Sequence, residues 1–254
     1  MNMGTLYQIV ICEGKTDRIL LGRYLTEKYD FVNRNNLKDS LNFKIKYEND
    51  FYQKNDMNIF IVESHSSTEL NACMKYFRDM MKFLENSFID KIVIITDHDD
   101  EHAVGFCQNV KEVFSVKLSG KEKFEIGKIY NVEMAFDENK KIYQLMYVIV
   151  PEIEEGALET FLVDVLADDN NQFIIDGIKL FLDSVEDIKP RIYLKTRGQR
   201  TKALLSMLLA AMYPERNNIP FYFLDKIDWT TQEKFNQFFD KIGNMLIKNT
   251  VNER

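Results

Sequence analysis

The sequence predicts an α/β protein in which a mostly parallel sheet is flanked by helices and followed by a helical C-terminal extension. Strand-like and helix-like segments alternate through the first 150 residues, a pattern typical of βαβ units. From Glu154 onward the periodicity becomes mainly helical. We therefore expect an α/β domain over residues 1–150 and a helical portion over 151–254 that depends on the sheet for its packing.

Within the α/β domain, buried apolar runs predict strands and amphipathic stretches predict helices. The polar stretch from Asn33 to Asp56 is an insertion with one candidate strand, FKIKYE. In chain order the other predicted elements are a strand at Leu6–Cys12, a helix at Lys15–Tyr29, a strand at MNIFIVES, a helix from Ser67 or Thr68 to about Asn86, a strand at Lys91–Thr96, a helix at His102–Phe114, a loop or hairpin at Leu118–Lys128 and a strand at LMYVIVP.

The C-terminal portion carries four helical patterns with prolines between them. Trp229 and the phenylalanines of the last helix are expected in the core. That Phe-rich helix, at 235–242, and the sheet edges are also the surfaces through which a homodimer could form. The four patterns are EEGALETFLVDVLA, IDGIKLFLDSV, QRTKALLSMLLAAMY and TTQEKFNQFFDKIGNMLI.

The composition is that of an ordinary soluble globular protein, with 254 residues of which 45% are hydrophobic. No apolar run approaches the ~20 residues of a membrane span, and the N-terminus lacks the pattern of a secretion signal. We therefore expect a cytoplasmic protein without a membrane partner. Three cysteines without CxxC spacing support neither a disulfide framework nor a zinc site. A net charge of −7 argues against a simple basic groove for nucleic acid.

Two acidic motifs follow predicted strands and are the most informative signal in the chain. Glu13, Gly14 and Asp17 follow the first strand, whereas Asp97 and Asp99 follow the strand at Lys91–Thr96. Because parallel strands end at one edge of a sheet, we expect these acids to converge where open α/β folds bind ligands. Mg²⁺ takes oxygen ligands, and a bound cation reverses the local negative charge so that phosphate can approach. The motifs therefore predict a divalent-metal site.

This chemistry suits phosphodiester hydrolysis, which needs a nucleophilic water and stabilisation of the charged phosphoryl and leaving oxygens. Two metal ions ~3.5–4 Å apart supply these needs, and they require several carboxylates. Gly14 lacks a Cβ, which we expect to let phosphate approach the backbone and the helix N-terminus.

The ordered Glu-Gly and DxD motifs resemble those of the TOPRIM domain. This metal-binding fold is shared by type IA and type II topoisomerases, bacterial primases and the overcoming-lysogenization-defect (OLD) nucleases. The resemblance covers roughly residues 6–160. A looser similarity, carried by the segments ETF, TKALLSMLLA and WTTQEKFNQFFDKI, is to small stand-alone TOPRIM proteins of unassigned function.

The resemblance implies roles for individual acids. Glu13 matches the glutamate that helps to bind metal in the nucleases and acts as a general acid or base in topoisomerases. Asp97 and Asp99 match the DxD that coordinates Mg²⁺, and Asp17 matches the second acid of the nuclease branch. Glu159 resembles the later glutamate that completes a two-metal site in those enzymes.

The resemblance also implies roles for basic residues. Lys202 resembles the C-terminal lysine that neutralises transition-state charge, although Lys195 or Arg200 could fill that role. The segment RIYLKTRGQRTK contains no acid, in contrast to the rest of the chain. The residues expected to contact nucleic acid are Gly14, Lys15, Lys195, Arg197 and Arg200.

Together these features predict a Mg²⁺- or Mn²⁺-dependent nuclease with two ions, acting on DNA or RNA; the resemblance suggests a role in defence against phage or mobile elements. The alternative is a non-catalytic metal- and nucleic-acid-binding module that works beside a separate ATPase. OLD nucleases fuse such an ATPase to their TOPRIM domain, and this chain has no GxxxxGK[ST] loop.

Each motif also has a structural interpretation. The aspartates from Asp97 to Asp100 could simply cap the next helix, and Glu13 with Gly14 could form a plain turn. Asp17 could be an exposed first-turn acid, while Glu159 and the basic segment could be solvated surface. His98, between the two aspartates of the DxD motif, is expected to point away from them.

Overall fold

The computed structural model describes residues 5–41, 43–83, 87–98, 102–117, 123–136, 139–153, 155–168, 170–188, 194–214 and 227–247. The chain divides into two compact units. The sheet unit comprises Met1–Asp97, Glu101–Ile149 and Phe238–Arg254. The helical unit comprises His98–Asp100 and Val150–Gln237.

Seven strands of the described residues form one sheet with the order β2-β3-β4-β1-β5-β7-β6. At its centre β1 pairs in parallel with both β4 and β5. The pairs β2–β3, β3–β4 and β6–β7 are antiparallel. The strands are β1 at Thr5–Cys12, β2 at Val32–Asn33, β3 at Asn49–Lys54, β4 at Met57–Glu63, β5 at Ser87–Asp97, β6 at Ile129–Phe136 and β7 at Asn139–Val150.

The described residues also form seven α-helices, so the predicted α/β class with a helical C-terminal portion is confirmed. None of these helices combines the length and apolar character needed to cross a membrane. The helices are α1 at Lys15–Tyr29, α2 at Ser67–Phe83, α3 at His102–Val113, α4 at Leu158–Leu166, α5 at Gln172–Ile188, α6 at Arg197–Met212 and α7 at Glu233–Ile247.

Both faces of the central strand are covered. Ile9 and Ile11 lie in one core cluster with side chains of α2 and α3, such as Phe77 and Phe106. Val10 points to the opposite face and is also fully buried. The chain moves from β1 to β4 and then back across β1 to β5, so right-handed connections put α1 and α2 on opposite faces.

The last part of α7 packs in the sheet unit beside α1. The rings of Tyr24 and Phe239 lie 5.4 Å apart, and the buried Lys91 donates to the carbonyl of Leu246 at 3.0 Å. Phe235, Phe238 and Phe239 are buried, so the core interpretation of this helix is confirmed. Trp229 is also in the core, as predicted, with its ring 5.1 Å from that of Phe235 in the helical unit.

The polar insertion folds differently from expectation. The prediction of a strand at FKIKYE is wrong, because β3 begins one residue after that segment, at Asn49. β3 forms a hairpin with β4 across the two-residue turn at 55–56, and this pairing decides which residues become extended. The strand β6 was not predicted, and it forms a hairpin with β7.

Candidate metal centre

The predicted acids of the sheet unit lie at adjacent strand ends. Cys12, the last residue of β1, is in register with Ile95, and β5 ends two residues later at Asp97. Glu13 therefore follows one strand while Asp97 ends its parallel neighbour. The chain leaves β1 toward the β4 side of the sheet and leaves β5 toward the β7 side, and such a switch point is where α/β sheets bind ligands.

Asp17 is held at this edge by the start of α1. Its Oδ2 accepts the backbone N–H of Gly14, the N-cap residue, at 3.0 Å. Only 8% of the residue is exposed, so the interpretation of Asp17 as an exposed first-turn acid is wrong. Gly14 has extended backbone angles that any residue adopts, but an added Cβ would lie 3.0 Å from Asp17 Oδ2. A larger residue here would therefore crowd that carboxylate, which would have to shift by a few tenths of an ångström.

The acids repel one another. Burial raises the pKa of Asp17 well above its usual range, and the charges of Asp97 and Glu13 raise it further. The Gly14 N–H opposes this rise by favouring the charged carboxylate. Asp17 is therefore a buried acid whose ionisation two neighbouring acids disfavour, a condition that a cation at this edge would relieve.

A second acidic group at the same edge was not predicted. Arg18 donates to Asp50 at 2.6 Å and to Glu63 at 3.1 Å. Glu63 ends β4, the other parallel neighbour of β1, and it also contacts His65 Nδ1 at 3.1 Å. His65 has a left-handed backbone, with φ of 72°. The sequence signal for this group was the acid at the end of the strand MNIFIVE, directly comparable with Glu13 and Asp97.

Glu13, Asp17 and Asp97 offer only carboxylate oxygens, which are the kind of ligand that Mg²⁺ and Mn²⁺ prefer. Among the residues that the structure describes, no three His, Cys, Asp or Glu side chains form a group that could hold a metal ion. Mg²⁺ is commonly held by one or two carboxylates together with water and phosphate, so it does not require such a group. Asp99, the second predicted DxD ligand, lies outside the described residues.

The helical unit brings Glu159 and Lys202 together. Glu159 lies in the first turn of α4, and its Oε1 is 3.8 Å from Lys202 Nζ on α6. The lysine side chain is 67% exposed, whereas that of the glutamate is 16% exposed. The roles that the resemblance gives to these two residues remain predictions.

The other predicted residues have varied surroundings. Lys15 and Lys195 are exposed, and the side chain of Arg197 lies outside the described residues. Arg200 contacts Asp183 at 2.5 Å and Glu186 at 2.7 Å, so two acids offset its charge. His98 Nδ1 lies 3.0 Å from the carbonyl oxygen of Pro151.

The fold resembles that of a hypothetical protein from Pyrococcus horikoshii OT3, known from a crystal structure. The similarity has a TM-score of 0.51 at 14% sequence identity and covers 93% of this chain and 99% of the other. No curated protein matches the chain. A family model described as "Protein of unknown function (DUF3226)" matches residues 7–244. Because that match spans most of its length, the chain belongs to the DUF3226 family.

Proposed function

We propose that this protein is a divalent-metal-dependent nuclease that hydrolyses phosphodiester bonds in DNA or RNA. One observation carries the proposal: Glu13, Asp17 and Asp97 interact at the switch point of the sheet, where the two neighbouring acids and burial raise the pKa of Asp17. Core packing does not require a buried acid in such surroundings. Perturbed ionisable groups at a sheet edge are typical of functional sites.

Mg²⁺ or Mn²⁺ would be held at this edge by one or two of the carboxylates of Glu13, Asp17 and Asp97, together with water and phosphate. When bound, the metal lowers the pKa of a coordinated water and stabilises charge on the phosphoryl oxygens. Asp17 is already oriented by its bond to Gly14, so the ligand is fixed before any ion arrives. Glu63 and Asp50 would not bind the metal ion, because Arg18 contacts both.

The remaining steps fall to residues of the chain. Glu13, which is half-buried, would take the proton of the attacking water as the new bond from oxygen to phosphorus forms. The bond from phosphorus to the leaving oxygen breaks, that oxygen takes a proton from solvent water, and Glu13 returns its proton to solvent. Lys15, exposed in the first turn of α1, would attract the phosphate backbone together with the positive helix N-terminus.

The test is cleavage of supercoiled plasmid, single-stranded DNA and total RNA with Mg²⁺, Mn²⁺ or EDTA. Wild type is compared with the double variant Asp97→Ala/Asp99→Ala, the single variant Asp17→Asn and a control, Asp56→Ala, at an exposed turn residue. We expect metal-dependent cutting that both site variants reduce by at least about 100-fold and the control leaves unchanged.

Equal cutting by wild type and the double variant would eliminate the proposal. If wild type cuts nothing, the protein is instead a binding module that acts with a separate ATPase, and co-purification of that ATPase becomes the next experiment.

We also place the protein in the cytoplasm. None of the three cysteines, Cys12, Cys73 and Cys107, is in a disulfide, as is typical of proteins from reducing compartments.

A further inference from the structure

Helix α5 is apolar on two opposite faces. On one face Ile175, Ile178 and Leu182 are buried, and α5 packs against α6 within the helical unit. On the other face four large apolar side chains are exposed by 54–75%. Together with two small exposed residues between them they form one stripe along the helix, which we call the α5 stripe: Phe173, Gly177, Leu180, Phe181, Ser184 and Ile188.

The spacing of the α5 stripe is symmetric about the midpoint between Leu180 and Phe181. Reversing the helix direction exchanges Phe173 with Ile188 and Gly177 with Ser184. Large residues would then lie opposite large ones, and small residues opposite small ones. An added Cβ at Gly177 would meet no atom within 4 Å, so space is open above it. A surface with this symmetry can pack against a copy of itself.

We propose that the α5 stripe is the interface of a homodimer in which the α5 helices of two copies pack antiparallel across a two-fold axis. A two-fold interface uses the same patch on both subunits and must be self-complementary. The α5 stripe satisfies that requirement through its sequence symmetry. It differs from the sheet edges and from the buried Phe-rich helix α7, and it is independent of the proposed nuclease activity.

The exposed apolar area is sufficient for such a dimer. Four large side chains at these exposures present on the order of 400–500 Å² per protomer, which is comparable with the largest apolar patch of a typical monomer, and such patches are often functional. Two copies would bury about 1,000 Å² together, near the lower limit for a specific interface. We therefore expect a reversible dimer.

Acidic residues beside the α5 stripe should make the proposed dimer depend on salt concentration. Asp176, Asp183 and Asp187 lie along one flank, at spacings of seven and four residues. Antiparallel pairing brings this flank beside its own copy, and Arg200 offsets part of the charge by contacting Asp183. Because salt screens the remaining repulsion, added salt should strengthen the dimer rather than weaken it.

Sedimentation equilibrium of the full chain tests the proposal over a range of protein and salt concentrations. Wild type should approach twice 30.0 kDa, and more readily at high salt. Leu180→Glu/Phe181→Glu should weaken association by about 100-fold or more. Ile153→Glu is the matched control, because Ile153 is 92% exposed, lies in the same unit and is outside the stripe. A wild type that stays monomeric, or a dimer that survives the double substitution, would overturn the proposal.

Cysteine cross-linking tests the register even if the double variant fails to fold. The antiparallel pairing puts Gly177 opposite Ser184, so a mixture of Gly177→Cys and Ser184→Cys chains should form disulfide-linked dimers. Each variant alone should not cross-link to itself through that position, whereas a parallel pair would do so. Self-linking of the single variants, or no linking in the mixture, would overturn the antiparallel interface.

Discussion

Asp17 and Arg18 are neighbours in the first turn of α1, but they occupy opposite electrostatic situations. Arg18 lies between two mostly buried acids, Asp50 and Glu63, and contacts both. Asp17 is buried near two further acids, and they raise its pKa beyond the effect of burial. Arg18 thus offsets the charge of one acidic group, whereas in the other group the acids raise the pKa of Asp17. Under our proposal, the first group stabilises the fold and the second binds a ligand.

The first prediction concerns the group that contains Arg18. Arg18→Ala leaves Asp50 and Glu63 without their guanidinium partner, although their side chains are only 16% and 10% exposed. We expect a loss of about 3–5 kcal/mol in the free energy of unfolding, because stranded buried charges are strongly unfavourable. Urea unfolding measures this loss.

The matched control is Arg23→Ala on the same helix, which removes a more exposed pair with Glu27 at 2.8 Å. That change should alter the free energy of unfolding by about 0.5 kcal/mol or less. Equal losses from the two variants would show that Arg18 has no special structural role.

The second prediction is a gain in stability, in contrast to the loss expected for Arg18→Ala. Asp17→Asn keeps an oxygen that can accept the Gly14 N–H but removes the charge that Asp97 and Glu13 oppose. We expect stability in EDTA to rise by about 1 kcal/mol, as is typical when a functional acid is neutralised. Thermal melting measures it, with Glu27→Gln as an exposed control.

The same variant tests the metal proposal. Mg²⁺ should raise the melting temperature of wild type, because a ligand that binds only the folded state stabilises it. Asp17→Asn should lose most of that response. A variant that is less stable than wild type in EDTA would contradict the claim that the acids strain this edge.

The third prediction, with the smallest effect, uses an acid at the packing contact between α1 and α7. Burial opposes the ionisation of Asp240, but hydrogen bonds from Lys28, Tyr24 and Tyr29 outweigh it and lower the Asp240 pKa. Because the folded-state pKa lies below the unfolded value, Asp240 contributes stability above its ordinary pKa of 3.8 and loses it as the pH falls through the folded-state value.

Asp240→Asn should therefore destabilise the protein at neutral pH by less than about 1 kcal/mol, since about a third of the side chain is exposed. The difference in melting temperature between wild type and variant should close as the pH is lowered below 3.8. A difference that stays constant over this range would exclude the ionised carboxylate as its cause.

Sequence reasoning succeeded where local pattern decides structure. The strand from Leu6 to Cys12 and the helix from Lys15 to Tyr29 agree with β1 and α1, because apolar periodicity encodes both the element and its buried face. It failed at FKIKYE, where pairing with β4 made the following residues extended instead. A strand propensity alone cannot say which segment finds a partner.

The α/β class and the positions of Glu13 and Asp97 at the ends of apolar strands could be predicted from the sequence, since both depend on residues close together in the chain. The burial of Asp17 near Asp97 and the contacts of Arg18 with both Asp50 and Glu63 result from packing between elements that are distant in the sequence. The same packing leaves the apolar face of α5 that carries Leu180 and Phe181 exposed. The reason is physical: ionisation and burial depend on which distant elements become neighbours, and periodicity along a single segment does not contain that information.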